Sequence, residues 1–378
     1  MGCLVSVFGV EPFRIGGTEA FARELSEQLL VHGWQSILCF LSEPSSEVRR
    51  FLDLPNVAIE VLPDVDKVGW KGSRELARVL AEYRPQILHL HFIGFLGFYP
   101  WLSRLYSVKR VFFTDHSSRP AGYLPNRAPF WKRALVRAIN YQISKVICVS
   151  KYGMECMSKL DVLPGDRYEM IYNGVDIKRI LPDSVLGDAF RKRFSIPEER
   201  SIALQVSWII PEKGIGDLLT VAQTVLRQND KVQFVVVGEG PYREQYMRQA
   251  EEMQIADYLT WTGLVEDPLG EGVYDAADIV CQLSQWEEVF GWMIAEAMVY
   301  AKPVVATRVG GIPELVQHES SGFLVNRGDT LAPSEHILNL LSDRNLRMRM
   351  GRTGREIALE RFDLARNVQE LIHQYGLP

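Results

Sequence analysis

The sequence has no cysteine pair at the spacing of a zinc or dithiol motif. Its five cysteines are scattered along 378 residues, and several stand in apolar runs such as "ILCF" and "VICVS". This distribution argues against the common zinc and redox motifs and predicts reduced thiols that pack as small hydrophobic side chains. The expected compartment is therefore a reducing one, the cytoplasm.

The sequence also lacks a net positive charge and an apolar run long enough to cross a bilayer. The formal net charge is −5 at pH 7, so no nucleic-acid partner is expected. The longest apolar run, at 92–102, is too short for a span and contains a proline. The N-terminus has no basic segment followed by a small-residue cleavage site, so we expect no secretory signal.

The first residues, "MGCLVS", match the pattern for N-myristoylation, with Cys3 available for a second lipid. The overlapping stretch "CLVSVFG" predicts a short buried strand that opens an α/β domain. We favour the strand, because the lipidation pattern is short and permissive.

Repeats of 20–50 residues and low-complexity segments are absent as well, which excludes solenoids and disordered arrays. Short apolar runs instead alternate with longer amphipathic ones, the pattern of βα units around parallel sheets. Strands are predicted at 3–9, 35–41, 57–62, 86–91, 109–114, 145–150, 201–207, 232–238, 258–263, 278–283, 303–311 and 322–325. The stretch at 173–187 has two glycines and a proline but no strand pattern, and predicts a hinge near 173–185 between two Rossmann-like domains.

Ligands of such sheets bind beyond the carboxyl ends of the strands, so the loops there hold the candidate residues. Gly16 and Gly17 precede the first helix, where a backbone can approach an anion; an ordinary flexible loop is the alternative. His116 follows a strand in "FFTDHSS" and either donates to a substrate oxygen or caps its loop. His89 and His91 alternate along a strand without a nearby carboxylate or cysteine, which favours packing, with His91 at the edge of the cleft.

In the second half, Lys213 stands just before a helix, where the helix dipole disfavours a cation. A bound anion would explain this position, and a surface lysine is the alternative. The segment "EVFGWMIAEAM" places Glu288 and Glu296 around a helix predicted to begin near Phe290 or Gly291. On a helix this spacing spans roughly 12 Å, too far for a shared proton or a glycoside-hydrolase pair. It suits an extended ligand with hydroxyls at both ends and a phosphate between them, which describes a nucleotide sugar.

A further loop, Gly310-Gly311 after the strand in "AKPVVATRVGG", is either an ordinary βα connection or a backbone surface against the phosphate or sugar.

Several segments together resemble retaining glycosyltransferases of the GT-B fold, family-4 type. They are "GGTEAFARELSEQLLVHG", "TDHSS", "VICVSKYG", "IYNGVDIKRI", "IIPEKGIGDLL", "VVVGEGPYREQ", "LTWTGLVED" and "EVFGWMIAEAMVYAKPVVATRVGGIPELV". They occur in the family's order over nearly the whole chain, and the last carries the family's Glu-x7-Glu pattern. The resemblance implies two Rossmann-like domains facing across a cleft. Residues 1–180 would bind the acceptor, 181–361 the donor, and a C-terminal helix at 362–378 would cross back to the first domain.

The resemblance also implies donor contacts for five residues. Glu288 would accept hydrogen bonds from hydroxyls of the donor sugar, and Glu296 from the nucleotide ribose. The backbone of Phe290 and Gly291 would line the sugar-phosphate pocket, and the base would lie against the backbone near Leu264.

Catalytic contacts follow from the same resemblance. Lys213 would neutralise the diphosphate, Gly16 and Gly17 would close on the donor, and His116 would lie near the reacting carbon. The family works without a bound metal, because cationic side chains and helix starts stabilise the leaving diphosphate. No cofactor is expected besides the nucleotide sugar as co-substrate.

One position departs from the family pattern. An arginine usually partners the lysine on the diphosphate, but here Ser207 and Trp208 occupy the aligned positions. Three alternatives follow: Lys213 suffices, Arg308 or Arg14 substitutes, or the activity is reduced.

The sequence thus predicts transfer of a sugar from a nucleotide diphosphate to an acceptor hydroxyl of a glycan, a lipid-linked molecule or a small molecule. A GT-B nucleotide-sugar epimerase and a non-catalytic sugar-nucleotide-binding protein are the alternatives. The segments "FIGFLGFYPWLSRLY" and "WKRALVRAINYQISK" predict either a peripheral membrane surface or core helices.

Overall fold

The computed structural model describes residues 2–67, 69–94, 98–123, 129–161, 163–180 and 183–377. The chain forms two compact units. The first comprises Met1–Ser117, Leu124–Asn173 and Leu364–Pro378, and the second comprises Ser118–Tyr123 and Gly174–Asp363. The main chain therefore changes unit after Asn173, inside the predicted hinge but before the predicted boundary at residue 180. Residues 181–182 of that hinge lie outside the described residues.

The first unit contains a seven-stranded parallel sheet in the order β3-β2-β1-β4-β5-β6-β7. Its strands are β1 (Gly2–Phe8), β2 (Trp34–Phe40), β3 (Val57–Val61), β4 (Ile87–His91), β5 (Arg110–Asp115), β6 (Ile143–Cys148) and β7 (Tyr168–Met170). Its helices in chain order are α1 (Gly17–Val31), α2 (Ser46–Phe51), α3 (Trp70–Tyr83), α4 (Tyr99–Leu105), α5 (Phe130–Asn140) and α6 (Lys151–Leu160).

The second unit contains a six-stranded parallel sheet in the order β10-β9-β8-β11-β12-β13. Its strands are β8 (Ser201–Val206), β9 (Val232–Val237), β10 (Leu259–Gly263), β11 (Ile279–Gln282), β12 (Val304–Thr307) and β13 (Gly322–Val325). Its helices are α7 (Ser184–Arg193), α8 (Ile215–Leu226), α9 (Arg243–Glu252), α10 (Val273–Ala276), α11 (Trp292–Val299), α12 (Ile312–Leu315), α13 (Leu331–Ser342) and α14 (Arg344–Arg361).

A last helix, α15 (Leu364–Gln374), belongs to the first unit. Its buried Leu371 and Ile372 share a hydrophobic core with Leu25 and Leu29 of α1. The side-chain amide of Asn367 donates to the carbonyl of Tyr172 at 3.0 Å. These contacts confirm the predicted return of the C-terminal helix to the first domain.

The central strands of both sheets are buried along their length, which explains their nearly continuous apolar runs. β1 begins at Gly2 and confirms the predicted buried strand. All five cysteines are buried, as predicted. Burial raises the pKa of the Cys3 thiol to about 11, so it stays protonated at neutral pH.

The predicted strands match the observed ones to within a few residues, with two exceptions. The short strand β7 was not predicted, and the run at 303–311 is strand only over Val304–Thr307. Within the described ranges, no helix has both the length and the apolar character needed to cross a membrane. Of the predicted apolar segment at 92–102, residues 95–97 lie outside these ranges.

Candidate functional site

The second unit brings three loops together at one edge of its sheet. β8, β11 and β12 are neighbours in a parallel sheet, so the loops that follow them leave the same edge side by side. The loop after β8 carries Lys213, the loop after β11 carries Glu288, and the loop after β12 carries Gly310 and Gly311. The sequence predicted each of these loops as a site candidate.

Glu288 lies at the centre of this cluster and is only 6% exposed. Its Oε1 accepts from the Lys213 ammonium at 2.6 Å and from the Ser284 hydroxyl at 2.8 Å. Its Oε2 accepts from the Ser118 hydroxyl at 3.0 Å. Within the part of the chain that the structure describes, that contact is the one hydrogen bond to Oε2, so this oxygen has a lone pair to offer a ligand hydroxyl.

The carboxyl group of Glu288 is held in its charged form. Burial by itself would raise its pKa, but the charge of Lys213 and the hydrogen bonds from Lys213, Ser284 and Ser118 together lower the pKa below its ordinary value. Glu288 is therefore an acceptor of hydrogen bonds at neutral pH and cannot serve as a general acid.

Two close backbone contacts explain how Lys213 and Glu288 come together. Gly214 has φ +71°, and a Cβ there would lie 1.8 Å from the carbonyl oxygen of Leu283, at the end of β11. Gly310 has φ +52°, and a Cβ there would lie 2.1 Å from the carbonyl oxygen of Glu288. Only glycine fits either position. The Gly310-Gly311 turn thus packs against the backbone of Glu288, and the Gly311 amide donates to the Glu288 carbonyl at 2.7 Å.

A second charged pair, which the sequence did not indicate, lies beside the first. The Glu287 carboxylate accepts from the guanidinium of Arg327 and from the backbone amides of Gly310 at 2.7 Å and Gly122 at 3.0 Å. The backbones of Arg119 and Glu287 also exchange two hydrogen bonds, at 3.0 and 2.8 Å. These contacts hold the segment Ser118–Tyr123 against the rest of the second unit and place the Ser118 hydroxyl within hydrogen-bond distance of Glu288.

Glu296 lies farther along, within α11, and accepts a hydrogen bond from the Tyr274 hydroxyl. The helix begins at Trp292, slightly later than predicted, with Gly291 as its N-cap at φ +111°. Because the residues from 288 to 291 are not helical, the 12 Å helical estimate does not describe the real path between the two carboxylates. Phe290 points into the core, where its ring lies 5.5 Å from that of Phe362.

The remaining donor-side candidates differ in exposure. Leu264 directly follows β10 and is half-buried. Trp208 follows β8 and has 47% of its surface exposed. Nearby, the buried Gln205 side chain donates to the Lys213 carbonyl at 2.9 Å and so fixes the loop that carries the lysine. Arg308, one of the proposed substitutes for the family arginine, is exposed just after β12.

In the first unit, the structure changes the interpretation of Gly16 and Gly17. The start of α1 was expected to attract an anion, and a carboxyl group of the chain itself lies there. The backbone amide of Gly16 donates to the carboxylate of Glu19 at 3.0 Å, and Glu19 is buried. Burial raises the pKa of this carboxyl despite hydrogen bonds from the backbone. Gly16 has an extended backbone, so its conformation does not require glycine.

His116 belongs to a cluster of three histidines in the first unit. Its Nε2 lies 3.3 Å from Nδ1 of His91, and its ring stacks on Phe92 at 4.1 Å between centroids. His89 lies between the Tyr375 hydroxyl at 2.5 Å and the Thr114 hydroxyl at 2.7 Å.

Burial lowers the pKa of His116 to about 3 and lowers the pKa values of His89 and His91 well below their ordinary value. All three imidazoles are therefore neutral at pH 7. Packing was the favoured prediction for His89 and agrees with its full burial. His91, which was predicted at the edge of the cleft, is the last residue of β4 and is 1% exposed.

With this geometry established, the chain can be compared with known protein families. Residues 15–179 match the family model described as "Glycosyltransferase Family 4", and residues 188–357 match the model described as "Glycosyl transferases group 1".

Among curated proteins, the GDP-mannose-dependent alpha-(1-6)-phosphatidylinositol monomannoside mannosyltransferase of Mycobacterium tuberculosis is 30% identical over 230 residues, which is 59% of each chain. The N-acetyl-alpha-D-glucosaminyl L-malate synthase of Bacillus anthracis is 28% identical over 214 residues, 57% of this chain and 54% of that one. The match thus spans less than two thirds of the length of these relatives.

Solved structures resemble the chain over its whole length. HepE of Anabaena in complex with UDP-glucose superposes with a TM-score of 0.81 at 17% identity and covers 100% of both chains. Sucrose-phosphate synthase of Thermosynechococcus elongatus gives 0.79 at 20% identity, covering 100% of this chain and 98% of that one. At these identities the likeness establishes the two-domain GT-B fold.

Proposed function

We propose that this chain, which belongs to the glycosyltransferases through its family-4 domain at 15–179 and its group-1 domain at 188–357, transfers a sugar from a nucleotide diphosphate to an acceptor hydroxyl. The observation that carries the proposal is the buried Glu288 carboxylate, charged and paired with Lys213 at the carboxyl edge of a parallel sheet. A buried charge of this kind is expensive to maintain and is concentrated at functional sites.

The donor would lie along the second unit with its sugar at Glu288. Oε2 of Glu288 accepts from Ser118 and has room for a sugar hydroxyl. The diphosphate would lie between Lys213 and the start of α11, where backbone amides at Phe290 and Gly291 favour an anion. Glu296, fixed by Tyr274, would accept from the ribose, and the base would lie near Leu264.

The reaction proposed is a same-face substitution that retains the anomeric configuration. The bond from the anomeric carbon to the diphosphate oxygen breaks, and a bond from that carbon to the acceptor oxygen forms. The acceptor's proton goes to the departing phosphate oxygen. His116, neutral at pH 7 because burial lowers its pKa to about 3, would position the substrate through a hydrogen bond and not act as a cationic acid.

No metal ion or organic cofactor takes part in this proposal. The leaving diphosphate would be stabilised by the Lys213 charge and by oriented backbone amides, which cost little reorganisation during the reaction. Trp208 leaves this site without the family's arginine, so the backbone carries a larger share of the stabilisation.

The acceptor would be bound mainly by the first unit, to which Gly16, Gly17 and His116 belong. The two curated relatives are named for a phosphatidylinositol-linked acceptor and for malate. We therefore propose a lipid-linked or small-molecule hydroxyl as the acceptor class, with the enzyme acting in the cytoplasm or at the surface of a membrane.

Thermal unfolding with a panel of nucleotide sugars tests the donor, because a ligand that binds only the folded state raises its melting temperature. UDP-glucose, UDP-N-acetylglucosamine and GDP-mannose form a minimal panel. We expect one of them to stabilise the protein, and Glu288→Ala and Lys213→Ala to lower its turnover strongly while the chain still folds. Near-normal turnover in either variant would contradict these roles.

A non-catalytic sugar-nucleotide-binding protein is the second candidate, and Trp208 is the observation in its favour. It predicts donor binding by calorimetry without transfer and without slow hydrolysis of the donor. The epimerase is not proposed, because the curated relatives named above are a transferase and a synthase that joins a sugar to malate.

A further inference from the structure

Two helices of the first unit expose several large apolar side chains to solvent. In α5, Phe130 is 77% exposed, Trp131 68% and Leu135 54%. The buried or half-buried positions of the same helix are Arg133, Val136, Ile139 and Asn140. An amphipathic helix of a globular domain normally shows the opposite arrangement, with its apolar stripe facing the core.

The inward face of α5 combines the half-buried Arg133 with Val136, Ile139 and the buried Asn140, while Arg137 is exposed. Arg133 and Arg137 both contact the carboxylate of Asp161, which caps the C-terminus of α6, with Arg137 Nη2 at 2.5 Å from Oδ1. These ion pairs fix the rotation of α5 about its axis. The outward position of Phe130 and Trp131 is therefore built into the fold.

The neighbouring helix α4 repeats the pattern. Phe98 at its N-cap is 64% exposed, Trp101 40% and Leu105 79%, at the i, i+3, i+7 spacing of one helix face. The indole nitrogen of Trp101 donates to the carbonyl of Ala138 in α5 at 2.9 Å. The two outward stripes thus lie side by side and form one surface, here called the aromatic surface, of Phe98, Trp101, Leu105, Phe130, Trp131 and Leu135.

The charged residues of α4 and α5 themselves have one sign. The two helices carry Arg104, Lys132, Arg133 and Arg137 and contain no aspartate or glutamate. Asp161 compensates part of this charge, while Lys132 is exposed on the helix itself. In a two-fold pair of this chain, like charges would face each other across such an interface. An anionic partner offers the complementary charge instead.

We propose that the aromatic surface binds the surface of an anionic lipid bilayer, with its tryptophan and phenylalanine side chains at the headgroup level. Aromatic side chains beside cationic ones, on helices too short to span, are the composition of an interfacial membrane contact. Membrane binding of this kind does not require the proposed transferase activity. A lipid-linked acceptor would follow from it only if that activity is also correct.

Sedimentation of the full chain with vesicles tests the proposal. We expect binding to vesicles that contain phosphatidylglycerol, weaker binding to pure phosphatidylcholine, and a loss of binding in high salt. The double variant Phe130→Ser with Trp131→Ser should reduce the bound fraction about tenfold, because two exposed aromatic anchors are removed. The matched control is Val185→Ser with Leu331→Ser, which changes two side chains of the second unit that are 70% and 68% exposed.

Tryptophan fluorescence and light scattering complete the experiment. A blue shift on adding anionic vesicles, lost in Trp131→Phe, would support burial of Trp131 at the bilayer. The proposal is overturned if the test and control variants bind vesicles equally. It is also overturned if the parent is a dimer that the Phe130 and Trp131 double variant converts to a monomer. Activity on a soluble acceptor should not change in the double variant, so loss of vesicle binding and loss of transfer are separable.

Discussion

Removing the positive partner of Glu288 should destabilise the protein through the charge that is left behind. In Lys213→Met the Glu288 carboxylate, 6% exposed in the parent, loses an ammonium that was 2.6 Å away. At that distance the direct attraction is about 6 kcal/mol for an effective dielectric constant of about 20. Much of this attraction offsets the desolvation of the two charges. Removing one partner of such a buried pair typically costs about 3–5 kcal/mol.

The other contacts of Glu288 and the exposure of Lys213 narrow the expected loss of stability. The hydroxyls of Ser284 and Ser118 still donate to Glu288 in the variant, and Lys213 is partly exposed in the parent, with 25% of its side chain accessible. We therefore expect a loss near the lower limit, about 3 kcal/mol of the free energy of unfolding. Glu288→Gln should cost less, about 1–2 kcal/mol, because the freed lysine can reach water.

A double-mutant cycle measured by urea unfolding at pH 7 provides the assay. If Lys213 and Glu288 interact as described, the double variant Lys213→Met with Glu288→Gln should be at least about 2 kcal/mol more stable than the sum of the two single losses predicts. Lys159→Met, which breaks an exposed pair with Glu155, should cost less than about 1 kcal/mol and serves as the control. A coupling energy below about 0.5 kcal/mol would refute the reasoning.

The same cycle has a pH signature. The contacts of Glu288 lower its pKa in the folded state, so they contribute stability above the pKa of the unfolded chain and lose it as the pH falls through the folded value. Without Lys213, burial dominates and the carboxyl accepts a proton more readily. The stability difference between the parent and Lys213→Met should therefore shrink as the pH is lowered from 7 toward 4.

Three further predictions concern single positions. Gly310→Ala should lower the free energy of unfolding in urea by about 1–3 kcal/mol more than Gly328→Ala. Both residues have positive φ, but of the two only Gly310 would place a Cβ within 4 Å of a backbone atom, the Glu288 carbonyl oxygen. The parent should lose about 2 kcal/mol of stability between pH 7 and pH 5 through His116, because its imidazole takes up a proton near pH 6.5 in the unfolded chain and only near pH 3 in the folded one. His116→Gln should abolish this part of the loss. An unchanged pH profile of the free energy of unfolding would contradict this. Trp208→Arg should bind UDP or GDP about tenfold more tightly than the parent in calorimetry, because it adds a charged hydrogen bond. Trp208→Gln should bind with the affinity of the parent. Equal affinities in the two variants would rule out a phosphate contact at this position.

The sequence predicts the framework and the two loops at the centre of the candidate site because both follow local patterns, but it did not predict that Lys213 and Glu288 form an ion pair. Runs of apolar residues mark the strands, and the ends of parallel strands mark the loops that carry Lys213 and Glu288. Ser118 could not be found in this way, because it reaches Glu288 from 170 positions earlier in the chain. β7 was missed because three residues are too few for a periodic pattern. The expectation for Gly16 was incomplete, since the carboxylate of Glu19 already satisfies its backbone amide.

The charge balance of the site explains why Trp208 matters. Lys213 pairs with Glu288, and Arg327 pairs with Glu287, so these four side chains have no net charge before a ligand arrives. A nucleotide diphosphate bound as proposed would add negative charge that neither pair compensates. Additional stabilisation would then come from backbone amides at helix starts, whose partial charges are fixed and already oriented, or from Arg308, which is exposed just after β12. An arginine at position 208 would add a full charge beside two ion pairs that are each neutral, and for that reason its effect on nucleotide binding should be large.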